Sequence, residues 1–87
     1  MKKIINGKLY NTDTADEIAR RVIRHGLEHE TYYRKKTGEI FIYYETKRSS
    51  GDIFRSIRPL ELEEAKDDLE KLLTVEHYEE IFGKVEE

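Results

Sequence analysis

The chain has no cysteine, a single proline and five glycines in 87 residues. Without cysteine there is neither a disulfide nor a thiolate metal site. The glycines are scattered among turn-like stretches, so no glycine-rich loop is present to cradle a phosphate. No apolar run approaches the ~20 residues that a membrane-spanning helix needs. Met1-Lys2-Lys3 resembles the start of a secretory signal, but Asn6, Gly7 and Lys8 interrupt any apolar segment at once. The expectation is a protein that stays in a reducing cytoplasm, away from membranes. The length fits one domain, 1–87, which buries only about 60% of its unfolded surface. A deep catalytic cleft is hard to build beside so small a core.

What is abundant is charge. Asp, Glu, Lys and Arg make up 40% of the chain, against ~25% in ordinary domains. The net charge of -3 conceals a division: residues 1–60 carry 13 Lys/Arg against 8 Asp/Glu, and residues 61–87 carry 3 against 11. Such asymmetry suggests two surfaces with different partners, attraction between the halves, or simply solvated helix faces.

Asn6-Gly7 between Ile4-Ile5 and Leu9-Tyr10 predicts a hairpin over residues 2–11, since both turn residues tolerate positive φ. Thr14 and Glu17 fit a capping box. Ala15, Ile18, Ala19, Val22 and Ile23 follow at helical spacing, so a helix ending at Gly26 is expected. Residues 30–46 read as a second hairpin around Lys35-Lys36-Thr37-Gly38, with Tyr33 opposite Phe41 and Tyr32 opposite Ile42. Strand alternation puts Tyr32, Ile40, Ile42 and Tyr44 on one face. Tyr33, Phe41 and Tyr43 share the other face with Lys35, Glu39 and Glu45. The more aliphatic first set should face the core.

Ser49-Ser50-Gly51-Asp52 is a turn cluster, and Ile53, Phe54 and Ile57 form a candidate fifth strand stopped by Pro59. Leu62, Ala65, Leu69, Leu72 and Leu73 give a helix its core stripe. Thr74 caps a last helix carrying Val75, Tyr78, Ile81 and Phe82, which ends at Gly83; the tail Lys84 to Glu87 is expected to fray. The expected class is α+β, in the order ββαββ(β)αα: an antiparallel sheet of two hairpins with helices packed on one face.

Catalytic signals are thin. His25 and His29 have ligand spacing on a helix, but no third ligand matches them. No nucleophile motif surrounds Ser49, Ser50 or Ser56. No catalytic residue, metal or cofactor is expected. Two binding surfaces are. Tyr33, Phe41 and Tyr43, with Arg34, Lys35, Lys36, Lys47, Arg48, Arg55 and Arg58, combine a stacking platform with basic edges, one way of holding single-stranded nucleic acid. Glu61, Glu63, Glu64, Asp67 and Asp68, with Glu76, Glu79 and Glu80, space negative charge along two helices, as a mimic of a phosphate backbone would.

Three blocks carry a resemblance: KKIINGKLYNTDTADEIA at 2–19, ETYYRKKTGEIFIYYE at 30–45, and IRPLELEEAKDDLE with LTVEHYEEIFGKVEE over 57–87. Together they resemble small proteins carried by phages and integrative elements of Gram-positive bacteria. Many of those carry a longer glycine-rich loop where this chain has Lys47 to Arg58. The resemblance implies a setting rather than residue roles: inhibitors of host defence complexes, anti-CRISPR proteins among them, are similarly small and acidic. The leading expectation is a non-enzymatic inhibitor of a host defence nuclease or ribonucleoprotein effector. An RNA- or DNA-binding regulator and a structural assembly subunit, monomeric or homodimeric, are the alternatives.

Overall fold

The computed structural model describes residues 1–85. The fold is α+β, with antiparallel sheets of two and four strands and two helices. Strands β1 (Lys2–Ile5) and β2 (Lys8–Asn11) pair around Asn6 and Gly7, whose φ values of 52° and 76° are those the two-residue turn demands. This hairpin is a sheet of its own and does not join the other strands, a correction to the single sheet expected.

The larger sheet is a meander of β3 (Asp16–Ile23), β4 (Glu28–Arg34), β5 (Ile40–Lys47) and β6 (Ile53–Pro59), in sequence order. β3 overturns the helix expected after Thr14. The reason lies in a bulge: the β3–β4 register shifts between Glu17 and Ala19. Both Ile18 and Ala19, neighbours in the chain, then pack on one core, which reproduces the adjacent apolar pairs of a helical pattern. Val22, assigned to the same stripe, is 54% exposed. Gly26 does adopt positive φ, but in a β turn behind Arg24 and His25, whose φ values are also positive at 53° and 55°. Non-local pairing with β4 has overridden local helical preference.

The central hairpin follows the expected register, with Tyr33 opposite Phe41 and Tyr32 opposite Ile42. Its turn closes through Lys35 N–H to Glu39 C=O and Gly38 N–H to Lys35 C=O, both 2.8 Å. The faces divide as expected. Tyr32, Ile40 and Ile42 are buried with Ala65 and Leu69 beneath the helices, with Tyr44 packed against them. On the opposite face Phe41 is wholly buried, because Tyr10 of the first hairpin stands edge-on to its ring at 5.4 Å and Ile57 lies beside it.

Helices α1 (Leu62–Leu69) and α2 (Val75–Phe82) follow the sheet. α1 is shorter than its apolar stripe implied. Leu72 and Leu73 lie beyond it, half-buried against the same core, and Leu62 is exposed. Thr74 caps α2 by accepting from His77 N–H at 3.3 Å, and Gly83 ends it at φ 90°. Of the tail expected to fray, Lys84 and Val85 are exposed, and Glu86 and Glu87 lie outside the described residues.

Both covering layers sit over the same end of the large sheet, where the β4–β5 turn lies. The other end, with the β3–β4 and β5–β6 turns, projects from them. This gives the molecule its 48 × 33 × 19 Å extents.

Candidate interaction surfaces

The basic and aromatic residues around the central hairpin are divided between the two sheet faces. Tyr33, Phe41, Tyr43, Lys47 and Arg55 alternate onto the face away from the helices. Arg34 and Arg58 lie on the helix side, as does Arg48, whose guanidinium sits 4.9 Å above the Phe54 ring. The expected platform is thus only partly assembled. Phe41 is inaccessible, and Tyr33 stacks on it with ring centres 5.4 Å apart and planes at 15°. Several of the cations are neutralised within the molecule. Arg55 donates to Glu45 at 3.1 Å and Arg58 to Glu64 at 3.1 Å. Lys35 lies 3.4 Å from Glu39 and 4.3 Å over the Tyr10 ring. Lys36, Lys47 and Arg48 remain exposed and Arg34 half-buried, all four without an ion pair among the described residues.

What stays open on this face is a shallow depression lined by Arg20, His29, Thr31, Tyr33, Tyr43 and Glu45. Arg20 and Thr31 were not assigned to a site from the sequence, and His29 was weighed only as a metal ligand with His25, because residues 14–26 read as a helix and so offered no cross-strand neighbours. Glu45 accepts from both Tyr43 and Arg55. Burial, reinforced by that carboxylate, raises the Tyr43 hydroxyl above its ordinary pKa. Burial also raises that of Tyr33. His29 Nε2 lies 3.1 Å from the Gly26 carbonyl oxygen, and the ring has no carboxylate partner among the described residues. His25 is in the turn, so the helical pairing of the two histidines does not exist. No group of three or more His, Asp or Glu side chains is placed to hold a metal among the described residues.

The acidic set sorts differently. Glu61, Glu63, Asp67, Glu76 and Glu80 are exposed, and their side chains have no hydrogen-bond or ion-pair partner among the described residues. Three others are engaged. Glu64 holds Arg58, and Glu79 accepts from Val85 N–H at 3.2 Å. Asp68, half-buried, accepts from the Tyr32 hydroxyl at 3.0 Å. Burial, then this bond beside a carboxylate, pushes Tyr32 up to about 12. The nearby Arg21–Glu30 pair, at 2.7 Å, raises Arg21 further above its ordinary range. Asp68 is therefore a structural group rather than a free surface charge. Arg34 and Glu80 converge on a depression between β3, β4 and α2, together with Asp16, Glu17 and His77. The two charged sets meet there.

A groove of about 320 Å³ separates the first hairpin from α1, lined by Tyr10, Glu39, Ile40, Leu60, Leu62 and Ala65. Glu39, its carboxylate, receives Lys8 at 3.2 Å, Lys35 at 3.4 Å and Thr37 at 3.2 Å. The Lys8 bond is the largest cause of its lowered pKa. A carboxylate stabilised so fully in its ionised form is a weak base.

No protein-family model matches the chain, and no curated protein or solved structure matches it significantly. No helix is long and apolar enough to cross a membrane among the described residues.

Proposed function

We propose that this chain is a non-enzymatic binding module whose acidic helical layer docks on a basic, nucleic-acid-binding groove of a partner protein. In the setting that the resemblance to phage and mobile-element proteins implies, that partner is a host defence nuclease or CRISPR effector, met in the bacterial cytoplasm. The observation that carries the reading is the contrast in how the two charge sets are used. The sheet spends much of its positive charge on internal pairs, whereas Glu61, Glu63, Asp67, Glu76 and Glu80 are exposed and unpaired. Unpaired charges on a rigid layer keep their field available for steering and for complementing an opposite surface.

The test is a pair of charge-reversal variants. Glu63, Asp67 and Glu80 to lysine removes the acidic layer without touching the Tyr32–Asp68 or Arg58–Glu64 contacts. Lys36 and Lys47 to glutamate reverses the two exposed lysines of the hairpin that lack an ion pair among the described residues. Binding to a candidate effector should fall strongly in the first variant and little in the second, and the wild-type association rate should drop as salt rises. An RNA gel shift that only the hairpin variant loses would transfer the function to the open sheet face and overturn the reading.

A further inference from the structure

The open face of the large sheet, away from α1 and α2, has Thr31 on the inner strand β4. The cross-strand partners of Thr31 are Arg20 on β3 and Tyr43 on β5, and its neighbours two residues along β4 are His29 and Tyr33. On a pleated surface these four side chains rise from the same face as Thr31. A small residue ringed by four large ones leaves a hollow. This is the depression of about 310 Å³, and its remaining wall is Glu45, opposite His29.

Thr31 is 6% exposed, yet its hydroxyl makes no hydrogen bond among the described residues. The oxygen is not sealed off either: among the described residues, the unpartnered side-chain atom cut off from solvent is Arg21 Nε. The Thr31 hydroxyl therefore opens into the hollow, where a deep polar group without a partner costs free energy. The Tyr33 hydroxyl lacks a partner among the described residues as well. One cation and one anion stand on the strands flanking β4. Arg20 gives a single amino group to Glu17 at 3.0 Å, which leaves the rest of its planar fork free. Glu45 takes both Tyr43 and Arg55 on Oε1, at 3.1 Å each, which leaves Oε2 open. Two strand spacings, about 10 Å at the backbone, separate Arg20 from Glu45, and they are not paired with each other.

We propose that this hollow binds a guanine base. Across the strands it offers, in order, a guanidinium, a hydroxyl that donates or accepts, and a carboxylate oxygen that accepts. The rim of guanine reads as the complement: the acceptors N7 and O6, then the N1–H and N2–H₂ donors. A guanidinium meeting N7 and O6 is the commonest specific contact to this base. The base stands on edge in a plane running from β3 to β5. Arg20 donates to N7 and O6, the Thr31 hydroxyl meets O6 and N1–H at the floor, and Glu45 Oε2 accepts from N2–H₂. His29 and Tyr33 flank the two faces, and the sugar-bearing nitrogen points to solvent. Adenine fails on this rim, because its N6–H₂ donor would confront the guanidinium and it has no N2–H₂ for Glu45. The site is on the opposite side of the sheet from the acidic layer, so the two can be occupied together.

The test is a titration followed by backbone amide shifts in magnetic resonance. Guanosine monophosphate should give saturable shifts centred on residues 20, 29–33 and 43–45. Adenosine monophosphate should bind at least about tenfold more weakly, and inorganic phosphate should leave these amides unmoved. Thr31→Val removes a hydroxyl that has no partner within the chain, so its melting temperature should match the wild type while guanine binding weakens about tenfold. Should that variant not fold, Arg20→Met, on a border strand, decides by making the two monophosphates equal. The Glu63, Asp67 and Glu80 lysine variant should bind guanine as the wild type does, which separates this site from the acidic layer. The pentaribonucleotides UUGUU and UUAUU identify the source. UUGUU binding more tightly than the monophosphate assigns the base to a single strand, and equal affinity assigns it to a free nucleotide; either upholds the site. No saturable shift with guanosine monophosphate, equal binding of the two monophosphates, or undiminished binding by folded Thr31→Val would each overturn the proposal.

Discussion

The covered and the projecting ends of the large sheet are built from the same four strands but held by different forces. At the covered end Tyr32, Ile40, Ile42 and Phe41 are buried between the helices and the first hairpin. At the projecting end the side chains meet mainly through charge: Arg21 with Glu30, Arg24 with Glu28, Arg55 with Glu45, and Arg48 over Phe54. Burying a large apolar side chain contributes about 1.5–3 kcal/mol, while an exposed ion pair contributes about 0–1. Global stability should therefore reside at the covered end, with the projecting end opening locally first. A surface that opens at low cost can adapt to a partner, whereas the covered end supplies the rigid frame for the helical layer.

The largest expected effect tests the covered end. Ile42 is 1% exposed and Val22 is 54% exposed. Ile42→Ala should lower unfolding stability by about 2–5 kcal/mol, and Val22→Ala by no more than about 0.5. Equal losses in urea titration would erase the distinction between the two ends.

Next in size is the Tyr32–Asp68 bond. Tyr32→Phe leaves the half-buried Asp68 without its donor, at a cost of about 1.5–3 kcal/mol for a bond to a charged group. The same bond sets an alkaline limit. Tyr32 is raised in the folded protein to about 12 from an ordinary value of 10.0. Its contribution is complete below the unfolded value and is lost as pH rises through the folded one. Stability of the wild type should fall between those values, and Tyr32→Phe should remove that part of the pH dependence. A phenylalanine variant with an unchanged alkaline profile would assign the loss to other groups.

The smallest effect belongs to the projecting end. Arg24→Ala breaks the 2.8 Å pair with Glu28 in the β3–β4 turn and should cost under about 1 kcal/mol, less in high salt. Amide exchange should quicken at residues 23–28 and stay unchanged at 40–42. Quickening spread evenly over the sheet would mean that both ends open as one unit.

Some of this could be read along the chain because the information is local. Asn6-Gly7 specifies its turn through positive φ, Thr74 caps α2 with its own hydroxyl, and two-residue alternation fixes which side chains of the central hairpin share a face. The division of charge at residue 60 was also visible, and it outlines the two candidate surfaces. What tertiary structure alone decided is non-local. The segment from Ala15 to Ile23 has apolar spacing that suits a helix; a bulge and the ladder to β4 make it a strand. Phe41 was a plausible stacking residue until Tyr10, from a separate sheet, covered it. Asp68 resembled its acidic neighbours until Tyr32, 36 residues away, claimed it. Composition and periodicity record what a residue can do, and only the partners brought from distant positions by folding determine which of those capacities remain available at the surface.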